Sequence, residues 1–369
     1  MYFISKEEVS FDALIEKANQ DTFCALEKLL PRKKRNFLQN ICSTKDCAIN
    51  ECIKIDERAY NALSIPLWEI LKRKGKGWRG YILQVSCEAI GNQFDEYLDW
   101  LALPEIMHVG SLIIDDVQDS SEIRRGGKAC HLIYGTGAAI NAGTFAYFIG
   151  QKLIENSVLE DQRKLALYQE YMSLLLNAHI GQGLDIEGLK LVLEDSGSST
   201  DTVFNTVMDI HKRKSGIPFG SFARMGAILG CGSAEQIKVL GDFFEEIGTL
   251  FQVRDDIINI TGFDSNLKLQ FEDLDHGKIT LPVAVALRNL TKGKKELLSH
   301  LLRSSNHDAE TLKNKLLSAI ESTNSVKYCE DLIERSYKSA LEVLLNSRCK
   351  LVNTEKIQMF SKRMLDFHY

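Results

Sequence analysis

The stretch LGDFFEEIGTLFQVRDDIIN, residues 240–259, decides the fold class of this chain. Its apolar side chains recur every three or four positions, which is the pattern of a helix with one face in a protein core. These apolar residues are Leu240, Phe243, Phe244, Ile247, Leu250 and Phe251. A neighbouring stripe of the same helix is polar and comprises Gln252, Asp255, Asp256 and Asn259. A polar stripe on an otherwise apolar helix predicts that the helix borders a shared cavity or a solvent channel.

Length and composition favour one large helical domain. The chain has 369 residues, of which 44% are hydrophobic, and this is enough for a large core in one domain or in roughly two or three. Its five prolines leave long stretches in which a helix need not break, and Pro66 and Pro282 lie near apparent helix starts. We therefore expect an all-α fold.

Charge and hydropathy exclude several classes of protein. A net charge of −5 gives no general attraction to nucleic acid, so an anionic ligand must be held by locally clustered Lys and Arg. No segment has the roughly 20 apolar residues that a transmembrane helix needs, and the N-terminal residues resemble neither a secretory signal nor an anchor. The nine cysteines lack the spacing of a zinc site and suggest thiols in a reducing compartment. We expect a soluble, cytoplasmic protein.

A second acidic motif, DDVQD at residues 115–119, lies far upstream of the first stretch. Residues four apart lie one above the other on a helix, so Asp115 and Asp119 form one acidic face, and Asp255 and Asn259 form another. Packing two such faces together without cations would cause strong repulsion. Because Mg²⁺ prefers a few carboxylates together with water and phosphate oxygens, the spacing predicts shared magnesium ions that clamp a diphosphate.

The chain divides into two parts by composition. Residues 1–58 are charged, contain cysteines and carry the basic run PRKKR at 31–35, so we expect an N-terminal extension of unknown role. The basic run is either a patch for a partner or, as we favour, a solvated helix face. Residues 59–369 form the main domain, in which the roughly 20 residues after Asn259 are long for a loop and suggest an active-site lid.

Six motifs, in this order and spacing, resemble those of the trans-prenyl diphosphate synthases. They are DDVQD at 115–119, RRG at 124–126, GQGLD at 181–185, KSG at 214–216, FQVRDDIIN at 251–259 and DLDHGK at 273–278. The resemblance covers about residues 60–369 and is closest to geranylgeranyl diphosphate synthases of animal and fungal type. It implies the isoprenoid synthase fold, a large helical bundle around a central active-site cavity, and a homodimer.

The resemblance also implies a reaction of isoprenoid biosynthesis. An allylic diphosphate ionises, and the double bond of isopentenyl diphosphate attacks the resulting cation. Both diphosphates are therefore expected partners, and Mg²⁺ is the expected cofactor, with about three ions per active site. Metal ions that stabilise the leaving diphosphate remove the need for a protein nucleophile.

Residue roles follow from the same resemblance. The expected metal site has Asp115, Asp119 and Asp255 as ligands, supported by Asp116, Asp256 and Asn259. The expected isopentenyl diphosphate site comprises Lys76, Arg79, His108 and Arg125. The expected allylic diphosphate site comprises Arg124, Lys214, Ser215, Gln252, Lys268 and Lys278. The segment GKGWRG at 75–80 departs from the GGKRxRP-like pattern of most short-chain relatives, because Gly77 and Gly80 replace larger residues.

Small residues before DDVQD suggest the length of the product. By resemblance, the growing tail runs down the face of the helix that carries this motif, and a large residue about one turn before it stops the tail. Gly110 and Ser111 lie about 6 to 7.5 Å down the helix from Asp115, and Met107 lies a further turn below. We expect geranylgeranyl diphosphate, with longer products left open because the contribution of the opposing helix is not readable from the sequence. These small residues are also compatible with simple close packing of helices.

Two other functions compete with this one. A class I terpene cyclase shares the fold and the ionisation step but has no use for a second diphosphate site. The expected isopentenyl diphosphate site, which includes Arg79 and His108, therefore favours a synthase that elongates its substrate. A non-catalytic synthase subunit is the other alternative. Such subunits usually lose acidic motif residues, whereas both motifs are whole here.

Overall fold

The computed structural model describes residues 6–32, 37, 41, 52–73, 75, 77–194, 200–262, 273, 278–291, 293–294 and 309–366. The predictions for Lys76, Lys268 and most of the loop after Gly262 lie outside these residues. Two compact units are present. Unit 1 comprises residues 1–172, 222–237 and 351–353, and unit 2 comprises residues 173–221, 238–350 and 354–369.

Helices dominate the described part of the chain. In order they are α1 (Lys6–Leu29), α2 (Cys52–Leu71), α3 (Arg79–Ala89), α4 (Ala102–Gln118), α5 (Cys130–Tyr134), α6 (Thr136–Ile149), α7 (Gln151–Glu155), α8 (Asp161–Glu194), α9 (Thr200–His211), α10 (Ile217–Leu229), α11 (Ala234–Thr261), α12 (Leu281–Asn289), α13 (Ala309–Ser322), α14 (Ser325–Leu345) and α15 (Thr354–Leu365). A 3-10 helix, Asp95–Leu101, precedes α4, and a π-helix, Lys212–Gly216, joins α9 to α10. The prediction of an all-α fold is confirmed.

Unit 1 places the DDVQD motif at the C-terminal end of α4. This helix packs against α6 so closely that there is no room for a Cβ atom at Gly110 of α4 or at Gly143 of α6. A Cβ atom on Gly110 would lie 2.7 Å from the Cβ of Ala146, and one on Gly143 would lie 2.8 Å from Cγ1 of Ile114. The two glycines therefore let the backbones of α4 and α6 approach each other and fix the position of the motif.

Helix α1 also belongs to the core of unit 1. Leu26 of this helix and Leu30, the residue after its end, are almost inaccessible, and the indole N–H of Trp68 on α2 donates a 3.0 Å hydrogen bond to the Leu30 carbonyl oxygen. Near its middle, Asn19 lies against Gly77, where an added Cβ would be 1.8 Å from the Asn19 Oδ1 atom. The first helix thus supports the segment that leads into α3.

A small hairpin follows α4. Strands β1 (Ile123–Arg124) and β2 (Gly127–Lys128) are antiparallel, and the turn between them consists of Arg125 and Gly126. Both turn residues have positive φ, +49° and +74°, as the twist of a two-residue hairpin requires. This conformation costs Arg125 about 1 kcal/mol, since its Cβ crowds the backbone there. A strained non-glycine residue is a reason to look for function at this turn.

Unit 2 contains most of α11, the helix that the opening stretch predicts. Its apolar stripe is buried, and Phe244 packs against both Phe243 and Phe360 of α15. The backbone of the π-helix approaches α11 closely, because a Cβ on Gly248 would lie 2.5 Å from the Ser215 carbonyl oxygen. Within the described residues, no helix is both long enough and apolar enough to cross a membrane.

Candidate active site

The two neighbouring aspartates of DDVQD have different environments in unit 1. Asp115 is only partly buried, whereas the side chain of Asp116 is fully buried and its Oδ1 atom accepts hydrogen bonds from Nε and Nη2 of Arg124 at 2.8 and 2.5 Å. Burial raises the pKa of Asp116, and the hydrogen bond from Arg124 opposes this rise. The Oδ2 atom of Asp116 is buried without a hydrogen-bond partner. Asp119, also partly exposed, ends the helix.

The adjacent arginines of the hairpin contact different partners. Arg124 binds Asp116, whereas Nη2 of Arg125 lies 3.2 Å from Oε1 of Glu105, a buried residue near the start of α4. Arg125 also donates to the backbone oxygen of Arg73. Glu105 was not among the predicted site residues. Its position three residues before His108 on the same helix is the feature of the sequence that indicates it.

His108 lies among positive charges. Its side chain is partly buried on α4, and burial lowers its pKa well below the usual value. The charges of Arg79, Arg125 and Arg124 lower the pKa further. A neutral histidine beside several guanidinium groups is suited to an anionic ligand, which would relieve the repulsion among them. Of the expected isopentenyl diphosphate residues, the structure thus brings Arg79, His108 and Arg125 into one basic cluster.

The acidic motif DDIIN at residues 255–259, in unit 2, also divides its residues between two environments. The Asp255 side chain is 28% exposed, whereas Asp256 is buried and binds Nε2 of His211 at 2.8 Å. Asn259 is buried too, and neither its Oδ1 nor its Nδ2 atom has a hydrogen-bond partner. A buried amide without partners is costly, so Asn259 is a polar group that a ligand or water would satisfy.

Unit 2 also brings together four of the expected allylic diphosphate residues in two pairs. The Ser215 hydroxyl donates a 2.9 Å hydrogen bond to Oε1 of Gln252. Lys214 and Lys278 both contact Oδ2 of Asp185, the latter at 3.6 Å. Asp185 was missed as a site residue, although it is the last residue of the GQGLD motif. One carboxylate therefore holds two ammonium groups side by side.

The donor atoms of the two acidic motifs fit Mg²⁺ in type. They are carboxylate and amide oxygens, the ligands that this hard cation prefers, and they include the unpartnered oxygens of Asp116 and Asn259. In the part of the chain that the structure describes, no three His, Cys, Asp or Glu side chains form a ready metal site. Water and diphosphate oxygens would have to complete the coordination of any ion held by these residues.

The residues expected to set product length lie on α4. Gly110 is fully enclosed at the crossing with α6, so its small size has a packing reason. Ser111 is only partly buried, and its hydroxyl donates to the His108 carbonyl oxygen at 2.8 Å. Met107, one turn earlier, is 7% exposed. Tyr147 of α6 lies near Asp115, whose charge adds to the effect of burial in raising the tyrosine pKa.

Known proteins are similar to this chain in both sequence and fold. The Polyprenyl synthetase family model matches residues 60–320. A geranylgeranyl pyrophosphate synthase of Penicillium janthinellum is 29% identical over 299 residues, which are 77% of this chain and 74% of that protein.

Among solved structures, the geranylgeranyl pyrophosphate synthetase of Pyrococcus horikoshii superposes with a TM-score of 0.77 at 21% identity, covering 98% of this chain and 99% of that one. The geranylgeranyl pyrophosphate synthase of Corynebacterium glutamicum, complexed with isoprenyl diphosphate and magnesium, gives 0.75 at 19% identity, covering 97% and 99%. These likenesses confirm the predicted isoprenoid synthase fold. By the match of its sequence, this chain belongs to the polyprenyl synthetase family.

Proposed function

We propose that this chain is a geranylgeranyl diphosphate synthase that condenses isopentenyl diphosphate with an allylic diphosphate. The observation that carries the proposal is the presence of a separate basic cluster in each unit. Arg79, His108 and Arg125 form one in unit 1, and Lys214 and Lys278 form the other in unit 2. A transferase that joins two diphosphates needs two such clusters, whereas a cyclase needs one.

In this function the basic clusters bind and orient the two substrates. Arg125 offers a planar fork that matches a phosphate group, and Glu105 holds that fork in place. Lys214 and Lys278 would exchange Asp185 for the allylic diphosphate as it binds. Holding both substrates lowers the entropic barrier to carbon–carbon bond formation.

The acidic motifs would hold the cofactor. Mg²⁺ supplies Lewis acidity that stabilises the departing diphosphate. We propose that Asp115, Asp119 and Asp255 are its protein ligands, because they are the partly exposed members of their motifs. The proposed stoichiometry is about three ions per site, as the family resemblance implies.

In this proposal the length of the product is controlled on the face of α4 that carries Ser111, with Met107 one turn further from Asp115. Ser111 is the small, partly exposed residue one turn before Asp115, so a growing tail can pass it. Because Gly110 serves the helix crossing, we place the length control on Ser111.

We further propose a homodimer. Unit 1 exposes large apolar side chains on α6 and α8, among them Phe148 at 57% and Leu165 at 58%. Apolar exposure on neighbouring surface helices is typical of a protein interface, and a second copy is the occupant that the family resemblance implies. A cytoplasmic location fits the free thiols of the described cysteines.

The function is tested by product analysis. The purified protein is incubated with Mg²⁺ and isopentenyl diphosphate together with dimethylallyl, geranyl or farnesyl diphosphate, and the products are identified by mass spectrometry. We expect geranylgeranyl diphosphate as the main product. Hydrocarbon formed from farnesyl diphosphate alone would instead identify a terpene cyclase, and no product under any condition would favour a non-catalytic subunit.

A further inference from the structure

A buried hydrogen-bonded link joins three elements of unit 2. Nε2 of His211 donates to Oδ2 of Asp256 at 2.8 Å, and the backbone N–H of Leu281 donates to the same oxygen at 2.6 Å. Only 6% of His211 and 3% of Asp256 are exposed, and Leu281 is fully buried. The link therefore connects the last residue of α9, the motif region of α11 and the first residue of α12.

The carboxylate of Asp256 supplies what the start of α12 lacks. Thr280 occupies the N-cap position but makes no capping hydrogen bond, and its hydroxyl is buried without a partner. Asp256 instead accepts the first N–H group of the helix, where the helix dipole favours a negative charge. Its charge is also one cause, after burial, of the raised pKa of Cys329 on α14, so this helix is nearby as well.

The same link leads directly to the proposed allylic diphosphate site. His211 immediately precedes the π-helix that carries Lys214 and Ser215. Gln252, which binds Ser215, lies one helical turn before Asp256 on α11. The two segments are therefore tied twice, once at the site through Ser215 and once in the core through His211. Single π-helical turns often occur at functional sites.

We propose that His211 and Asp256 are positioning residues that hold the π-helix, and with it Lys214 and Ser215, in place for the allylic diphosphate. In this role Asp256 is not a ligand of Mg²⁺, in contrast to its partly exposed neighbour Asp255. A buried carboxylate with two donors on one oxygen is already satisfied within the protein. The inference rests on the proposed function, because it assigns the π-helix to that substrate.

The test compares His211→Leu, Asp256→Asn and the double variant with Asp255→Asn as the matched control. We expect the KM for the allylic diphosphate to rise about tenfold in the first two variants, with no further rise in the double variant. The KM for isopentenyl diphosphate and the Mg²⁺ concentration needed for half-maximal activity should stay unchanged. Asp255→Asn should raise that Mg²⁺ concentration.

The proposal is wrong if Asp256→Asn raises the Mg²⁺ requirement as Asp255→Asn does, or if His211→Leu leaves the allylic KM unchanged. If His211→Leu does not fold, His211→Gln replaces it as the conservative variant. We expect His211→Gln to keep only part of the wild-type affinity for the allylic diphosphate. Calorimetric binding of inorganic pyrophosphate without metal gives a readout independent of turnover. It should weaken in His211→Gln relative to the wild-type protein, and equal affinity would overturn the link. If the wild-type protein forms no product yet these binding changes appear, the proposed function fails while the positioning role stands.

Discussion

Nε and Nη2 of Arg124 both donate to a single oxygen of Asp116, whose side chain is fully buried although Arg124 is 26% exposed. The arginine thus neutralises a charge inside unit 1 and joins the hairpin to the end of α4. A carboxylate that loses its partner in such a place keeps the full cost of desolvation. The pair consequently links the stability of unit 1 to the integrity of its acidic motif.

Replacing Arg124 with methionine should therefore destabilise the protein by about 3 kcal/mol, because it leaves Asp116 as an unpaired buried charge. Urea denaturation measures this loss. The double variant Arg124→Met, Asp116→Asn should recover most of it. The exposed pair of Lys238 and Asp242 is the control, since Lys238→Met should change the stability by less than about 1 kcal/mol. Equal losses at both pairs would contradict the interpretation.

Asp115→Ala should lower turnover by orders of magnitude while leaving the helical content unchanged. Its side chain is partly exposed on α4, so its removal costs little packing, but a proposed magnesium ligand is lost. Steady-state kinetics over a range of Mg²⁺ concentrations and circular dichroism make the measurement. Chelation of divalent ions by EDTA should abolish activity in the wild-type protein. Undiminished product formation by Asp115→Ala would remove this residue from the metal site.

Gly77→Ala should destabilise unit 1 and raise the KM for isopentenyl diphosphate. Gly77 has a φ of +58°, and an alanine Cβ would overlap the Asn19 side chain. Gly126 is the control, because its φ is +74° but the space for a Cβ is open. We expect thermal unfolding to show a loss of about 1 kcal/mol for Gly126→Ala and a larger loss for Gly77→Ala. Equal losses would show that the contact with Asn19 does not contribute to the destabilisation by Gly77→Ala.

Ser111→Phe should shorten the product from geranylgeranyl to farnesyl diphosphate with little loss of stability. The aromatic ring would occupy the surface of α4 one turn below Asp115, where we propose the tail passes. Gly110→Ala should instead lower stability by about 1 to 3 kcal/mol, because its Cβ would meet Ala146 and the Gly143 carbonyl oxygen. Chromatography of the dephosphorylated products and calorimetry separate the two effects. An unaltered product from folded Ser111→Phe would refute the length assignment.

The lowered pKa of His108 predicts a pH dependence of stability. Burial and three arginines keep this residue neutral in the folded protein, whereas in the unfolded chain it takes up a proton at its ordinary pKa. The neutral His108 therefore contributes to the stability of the folded protein above the pKa that it has in the unfolded chain. This contribution is lost as the pH falls below about 6.5. His108→Gln should make the decline between neutral pH and pH 5 shallower in urea titrations. A parallel decline in both proteins would assign the effect to other groups.

Local patterns in the sequence were sufficient for the fold class and the family. The spacing of three and four from Leu240 to Phe251 is an intrinsic property of a helix, and the helix of unit 2 confirms it. The prediction of a polyprenyl synthetase is confirmed by the family match. Both depend on residues close together in the chain or on whole motifs, which a single sequence displays directly.

The physical reason for the distinct roles of neighbouring site residues could not be predicted in the same way. The family resemblance separates Asp255 from Asp256, but it does not show that Asp256 is held by His211 and Leu281, which come from other parts of the chain. Gly77 likewise looked like a weak match to a motif until Asn19 was seen beside it. Long-range contacts of this kind leave no periodic signal in the sequence.

The position of α1 bears on how this protein can be divided. The family match begins at residue 60, yet Asn19 and Thr22 lie directly behind Gly77 and Gly80. A shortened protein that began at the family boundary would expose the rear of the segment leading to Arg79 to water. Helix α1 therefore supports the segment that leads to Arg79, and the limits of the family match understate how much of the chain this part of unit 1 requires.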